Sequence, residues 1–466
     1  MRRLYIATIF LGTVLLGSGC KKFLDVNQDP NNPMDVSEKL ILPPVEVTVS
    51  TQVVGGYNGV NNAYWMQQLS QNQPSPGQET FRIFPVDVDN TWTYYIYPNI
   101  LNNLRLMMNQ ARTAGHNEYM AIGKTLYAFN LAIATDVWGN VPSSEAMKLP
   151  EVSRPKYDSQ ESIYQQLQVL LDSAIYYAGQ PKSAIAPGTD DYIYQGNMAK
   201  WKKLAYMLKA RFYLRLTKAP GHTAAAQADL ALAALANAFA DNSDNATVSY
   251  TGGAQAESPW FKNTEPGAGG VVMNKTFIDF LKNNNDPRLP IIATKDVDGG
   301  YTGRVPGATT IPDPTVLSQV NSFYAAADAP LFLATYAEAL FIKAEATFIK
   351  SGAAAATPVY QAAIKAHMDM LKVDGAAAQA YINSRPALTA ANGIKEIIYE
   401  KYVAGFLSIE TYNDWRRTGY PELQLPENPF VNYIPRRWPY PSNEILANPQ
   451  PDHKVTTADR VWWDAK

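Results

Sequence analysis

Apolar residues recur at helical spacing through much of this 466-residue chain, and the helices they define come in adjoining pairs. Trp201, Leu204, Leu208, Phe212 and Leu216 share one face, while Lys202, Lys203, Lys209 and Arg215 lie mostly on the other. That is the pattern of a helix with one buried stripe. Asp158-x-x-Glu161 has the form of a capping box and predicts a helix through Ile163, Leu167, Leu170 and Leu171. Ile394, Ile397, Ile398, Tyr402, Gly405 and Ile409 trace one face of another, stopped by Gly419 and Pro421. Hairpins are predicted over 201–218 with 224–239 and over 331–350 with 358–372. Alanines within them (Ala337, Ala344, Ala346, Ala362, Ala363) let helix axes approach closely. Such pairs bury their faces on one another, so the expected fold is mainly α, a tetratricopeptide-like helical repeat scaffold.

Between the helices lie long loops, 73–90, 179–197, 241–271 and 291–330, rich in Gly, Pro, Asn, Asp and Thr. Loops beyond about 12–15 residues are uncommon unless they serve a function or are disordered. These carry Phe81, Phe84, Tyr192, Tyr194, Tyr250, Trp260, Phe261, Tyr301, Phe323 and Tyr324. A helical scaffold bearing aromatic loops points to recognition rather than chemistry. With 40 Lys+Arg against 42 Asp+Glu there is no basic excess, and nucleic acid is not an expected partner.

Residues 1–19 read as an address. Arg2 and Arg3 precede a largely apolar run, Leu4 to Leu16, too short to span a bilayer. Gly17, Ser18 and Gly19 then lead to Cys20, the sole cysteine, which forbids an internal disulfide. The arrangement predicts a lipoprotein signal peptide with Cys20 acylated, anchoring the chain to a membrane by lipid. Residues 20–35 form a polar tether, and 36–466 the folded domain. To Met34 the tether reaches about 45 Å at ~3.3 Å per residue.

Six motifs, in order, carry a family resemblance. They are Asp136-Val137-Trp138-Gly139-Asn140-Val141-Pro142; Gln195-Gly196-Asn197 through Trp201 to Lys209-Ala210-Arg211-Phe212; Asn285-Asp286-Pro287-Arg288-Leu289; Tyr336-Ala337-Glu338 with Lys343-Ala344-Glu345-Ala346; Trp415-Arg416-Arg417 through Pro421; and Ile434-Pro435-Arg436-Arg437 through Pro441. Together they resemble the SusD/RagB family of outer-membrane nutrient-binding lipoproteins. The resemblance implies a helical fold whose loops form a ligand face and a location on the outer membrane facing the cell exterior. It also implies a partner, a SusC-like TonB-dependent β-barrel transporter. Arg416, Arg417, Asp286 and Arg288 are expected to make ion pairs and carbonyl contacts rather than touch ligand.

No motif marks the binding residues, so these are argued from chemistry. A sugar needs an aromatic plate for its C–H face and planar polar groups for its hydroxyls. Stacking that buries about 100 Å² is worth about 2.5 kcal/mol. Asn72, Gln73, Phe81, Arg82 and Phe84 set amides and a guanidinium beside aromatics in one loop, and Trp260 and Tyr301 supply further plates. These seven are the candidate ligand-binding residues for an oligosaccharide or polysaccharide. A peptide is the alternative ligand, and a helical scaffold that binds only proteins the alternative class. No Gly-x-Ser-x-Gly, His-Glu-x-x-His or phosphate-loop motif is present. Asp296-Val297-Asp298-Gly299 lacks the remaining ligands of a calcium loop. The chain is therefore expected to have no catalytic residue, metal or cofactor.

Overall fold

Helices open where a short polar side chain can take up the first free amides. The computed structural model describes residues 36–74, 76–148, 150–265, 270–448 and 454–465; Cys20 and the tether lie outside them. The principal helices are α1 (Glu38–Thr48), α2 (Tyr57–Trp65), α3 (Asn103–Ala114), α4 (Asn117–Trp138), α5 (Gln160–Ala178), α6 (Met198–Arg215), α7 (Ala224–Leu235), α8 (Lys275–Asn283), α9 (Tyr336–Met370), α10 (Gly375–Ser384), α11 (Gly393–Ala404) and α12 (Glu410–Thr418). Asn197 caps α6 by accepting from the Lys200 N–H, and Thr223 caps α7 through the Ala226 N–H. The fold is mainly α. Neighbouring helices stack in sequence, α3 on α4, α4 on α5, α5 on α6 and α6 on α7, and α9 then packs on α7 and α11. Trp201, Leu204, Leu208 and Phe212 of α6 are buried in the shared core, as their spacing predicts.

Several element boundaries differ from expectation, each for a local reason. Asp158 does not cap α5: Ser159 does, accepting from Ser162 N–H, and Asp158 accepts instead from the amides of Ser143 and Ser144. Residues 331–334 are not helical but form a strand, and α9 starts at its Thr335 cap. α9 is two helices meeting at Gly352, where φ is 77° and only glycine is unstrained. The helix expected to run from 394 to 409 and on to Gly419 is two, α11 and α12. Between them Leu407 takes φ 64°, and the Gln68 amide enters the gap. It donates to the Tyr402 and Gly405 carbonyls and accepts from the Leu407 N–H.

Two short antiparallel ribbons fasten the loops to this array. β1 (Leu69–Gln71) pairs with β3 (Val271–Met273), and β2 (Ala246–Val248) pairs with β4 (Leu331–Ala334). The loops leaving β1 and β2 are the ones that shape the cleft described next. Among the described residues no helix is long and apolar enough to cross a membrane.

Candidate functional site

Tyr57 stands where two clefts meet. It opens α2 after the turn Gly55-Gly56, in which a β-carbon on Gly56 would lie 2.2 Å from the Gln52 carbonyl oxygen. The tyrosine is half-buried with its ring edge on Trp438, centroids 5.6 Å apart. Burial raises its phenol pKa, so the hydroxyl stays neutral. On one side of Tyr57 lies a cleft of about 900 Å³, walled by the end of α1 and the helical turn that follows it (Val47, Thr51, Gln52), by Tyr192 and by the segment from Val248 to Asn263. On the other lies a polar cleft of about 330 Å³ lined by Gln71, Gln73, Gly77, Gln78, Arg82, Phe84 and Asp87.

The polar cleft is built on clamped loops. Glu79 and Arg304 form a buried ion pair at 3.0 Å. Glu79 also accepts from the Gln71 and Gly307 amides. Arg304 reaches Asn72 Oδ1 and the carbonyls of Gln73, Ala308 and Thr310. Burial raises the Glu79 carboxyl pKa, while these amides and Arg304 pull it back down. The Gln71 amide is fixed in turn, donating to Gln78 Oε1 at 3.1 Å and accepting from Gln78 N–H. The cleft wall is set before any ligand arrives, which lowers the ordering cost of binding.

A turn residue and the chain leaving it divide the next four residues between core and cleft, Phe81 taking φ 70°. Phe81 and Ile83 are buried while Arg82 and Phe84 are exposed. Of the seven candidates, Gln73, Arg82 and Phe84 come together in this cleft. Asn72 sits behind it, tying Arg304 to the Pro312 carbonyl. Phe81, 2% exposed, packs its edge on Trp65. Trp260, 3% exposed, follows Pro259 at the start of a short helix and lines a cavity of about 50 Å³ with Tyr324 and Phe406. Neither ring has a face open to a sugar. Tyr301 is half-buried against the core and lines neither cleft. Exposed instead are Phe84 at 44% and its edge-to-face partner Phe430 at 54%, 5.6 Å apart. Nothing local in the sequence singles out Phe430, while the Gly55-Gly56 pair is a signal for Tyr57.

A SusD-like family profile, described as starch-binding and associating with the outer membrane, matches residues 30–441. The chain belongs to the SusD-like family. No curated protein matches it. Its fold is that of solved SusD-like structures. A chitin-binding protein superposes with TM-score 0.80 at 23% identity, covering 92% of this chain and 100% of its own. A SusD/RagB family protein from Bacteroides thetaiotaomicron gives 0.77 at 22%, covering 92% and 99%. A chitin-binding SusD homolog from Flavobacterium johnsoniae gives 0.78 at 21%, covering 92% and 98%.

The SusD-like motif residues lie inside the molecule. Asp136 and Glu410 pair with Arg215, and Arg211 joins Glu338 at 2.8 Å. Burial pushes the Glu410 carboxyl up, but Arg215 and Arg211 outweigh it and hold the pKa below the usual range. Arg417 pairs with Glu345 and with Asp414, and Arg416 donates to the carbonyls of Asp136 and Arg436. Arg288 joins Asp286 and Glu400, both at 2.6 Å. Beside it, burial and the guanidinium hold His367 well below its ordinary pKa, hence neutral. Among the described residues no cluster of His, Cys, Asp or Glu could hold a metal ion.

Proposed function

We propose that this chain is a cell-surface lipoprotein of the outer membrane, anchored through Cys20, that captures an oligosaccharide and hands it to a TonB-dependent β-barrel transporter. The carrying observation is the meeting of Tyr57, Gln73, Arg82 and Phe84 around two adjoining clefts on clamped loops. Aromatic surface beside fixed planar polar groups suits a pyranose, whose C–H face is apolar and whose rim is hydroxyl. The family description and the chitin-binding structural neighbours support a glycan over a peptide. Binding without cleavage is proposed, with the transporter as acceptor.

The test is calorimetry of the soluble chain, residues 21–466, against an oligosaccharide panel. Phe84→Ala should weaken binding of the recognised glycan by roughly 1 kcal/mol or more while leaving Tm unchanged, because the ring is exposed. Unchanged affinity would remove Phe84 from the site. Release of reducing ends on incubation would make the protein an enzyme. Purification of the lipidated protein from solubilised outer membranes should bring a large β-barrel with it, and recovery of the protein alone would remove the transporter.

A further inference from the structure

The two linings contain four charged side chains, and their states differ. Glu257 and Lys262 pair with each other at 3.0 Å. Asp87 Oδ2 accepts the Phe84 N–H at 2.8 Å, at the start of the 3-10 turn Pro85–Val88. That amide and the turn's N-terminus take up part of its charge. Arg82 differs. Its backbone N–H donates to the Gly77 carbonyl, but its guanidinium meets no carboxylate, carbonyl or hydroxyl among the described residues.

Its close neighbour is a glycine. The guanidinium rests against Gly77, where a β-carbon would stand 2.7 Å from both Nε and Nη2 and 2.9 Å from Cζ. Gly77 is itself held, because the Gln78 amide that follows it donates to Gln71 Oε1 and the Gln78 carbonyl accepts from Trp65 Nε1. The result is a planar guanidinium, unpaired among the described residues, lying against Gly77 and lining the cleft. Such a group matches the two coplanar oxygens of a carboxylate, or two oxygens of a sulfate, better than scattered hydroxyls.

We propose that the glycan taken by this cleft carries an acidic substituent, a carboxylate or sulfate, received by Arg82, with Gly77 as the residue that positions it. The inference rests on the glycan reading above. Asp87 opposes an anion, but its carboxylate is tied to backbone while Arg82 is open.

The experiment titrates the soluble chain with matched pairs of oligosaccharides: uronate-containing oligomers with their carboxyl-reduced forms, and sulfated oligomers with their desulfated forms. The acidic member should bind about tenfold more tightly, and the preference should shrink from low to high salt as the charges are screened. Arg82→Gln should abolish the preference, Arg82→Lys should restore part of it, and neither should move Tm. Gly77→Ala, which displaces the flexible end of Arg82, should reduce the acidic preference more than neutral binding. Equal affinity within every pair, or a preference that survives Arg82→Gln, overturns the proposal and leaves the glycan reading standing. Failure of every oligosaccharide, acidic and neutral, overturns both.

Discussion

Glu46 in α1 is fully buried, and one of its oxygens accepts the Tyr192 N–H at 2.6 Å. The other has no donor among the described residues. It faces Asp191, whose carboxylate already accepts from the amides of Ile193, Tyr194 and Gly196 and from Trp201 Nε1. A proton on Glu46, donated to this already hydrogen-bonded carboxylate, would satisfy the second oxygen. Burial first, and Asp191 and the neighbouring Asp190 with it, hold the Glu46 pKa well above the usual carboxylate range. The folded protein therefore keeps a proton that the unfolded chain releases. Its contribution is fully present below the unfolded pKa and fades as pH rises through the folded one. Glu46→Gln keeps the acceptor and supplies a permanent donor. Relative to the parent, the variant should gain stability as pH rises from 4 to 8, by about 1–3 kcal/mol at the upper end. Thermal melts at pH 4, 6 and 8 check this, and a difference constant with pH would show that the pair does not share a proton. Single residues were the hardest part to read from sequence. Phe81 and Arg82 are adjacent, yet a left-handed backbone at Phe81, φ 70°, buries its ring and leaves Arg82 to the cleft, a turn that no local pattern announces.

The charged connection that shapes the cleft is the ion pair joining the loop after β1 to the loop around Arg304. Arg304→Met would leave Glu79 buried without its countercharge, a loss worth about 3–5 kcal/mol. Amide exchange should then rise in both 71–82 and 304–312, and glycan affinity should fall with it. Faster exchange confined to one loop would mean that they are not held as a unit. Helices were legible because each repeats its signal over three or more turns, so α6 and α7 emerge near their expected limits. Breaks were not. The α11–α12 gap is filled by Gln68, more than three hundred residues away in sequence, and the β2–β4 ribbon likewise joins residues far outside any local window, Ala246 with Ala334. Local patterns carry no trace of such partners, and a three- or four-residue strand has too few alternations to announce itself.

At the scale of the molecule, ion pairs that would be of little value on a surface are gathered into the core. Asp136, Arg215, Glu410 and Arg211 connect α4, α6 and α12, while Arg417 and Glu345 bring in α9. Asp136, Arg211, Glu345 and Arg417 belong to the motifs read from the sequence, which is why those motifs speak of the fold and not of the ligand. The network closes through the last residues of the chain. Trp463 is fully buried and donates to Asp136 Oδ1 at 2.8 Å, while its ring lies beneath the Arg215 and Arg416 guanidinium groups, 5.2 and 4.5 Å from its centroid. Asp464 next to it pairs with Arg436 and Arg460. These residues lie beyond the 30–441 span of the family match, yet they complete its internal charge pattern. Trp463→Ala should open a cavity and remove a donor from buried Asp136 together, costing about 3–5 kcal/mol. If the terminal segment is integral to the core, the whole thermal transition should move down as one. An early minor transition, with the main one unmoved, would instead show the segment to be an appendage on a network that holds without it.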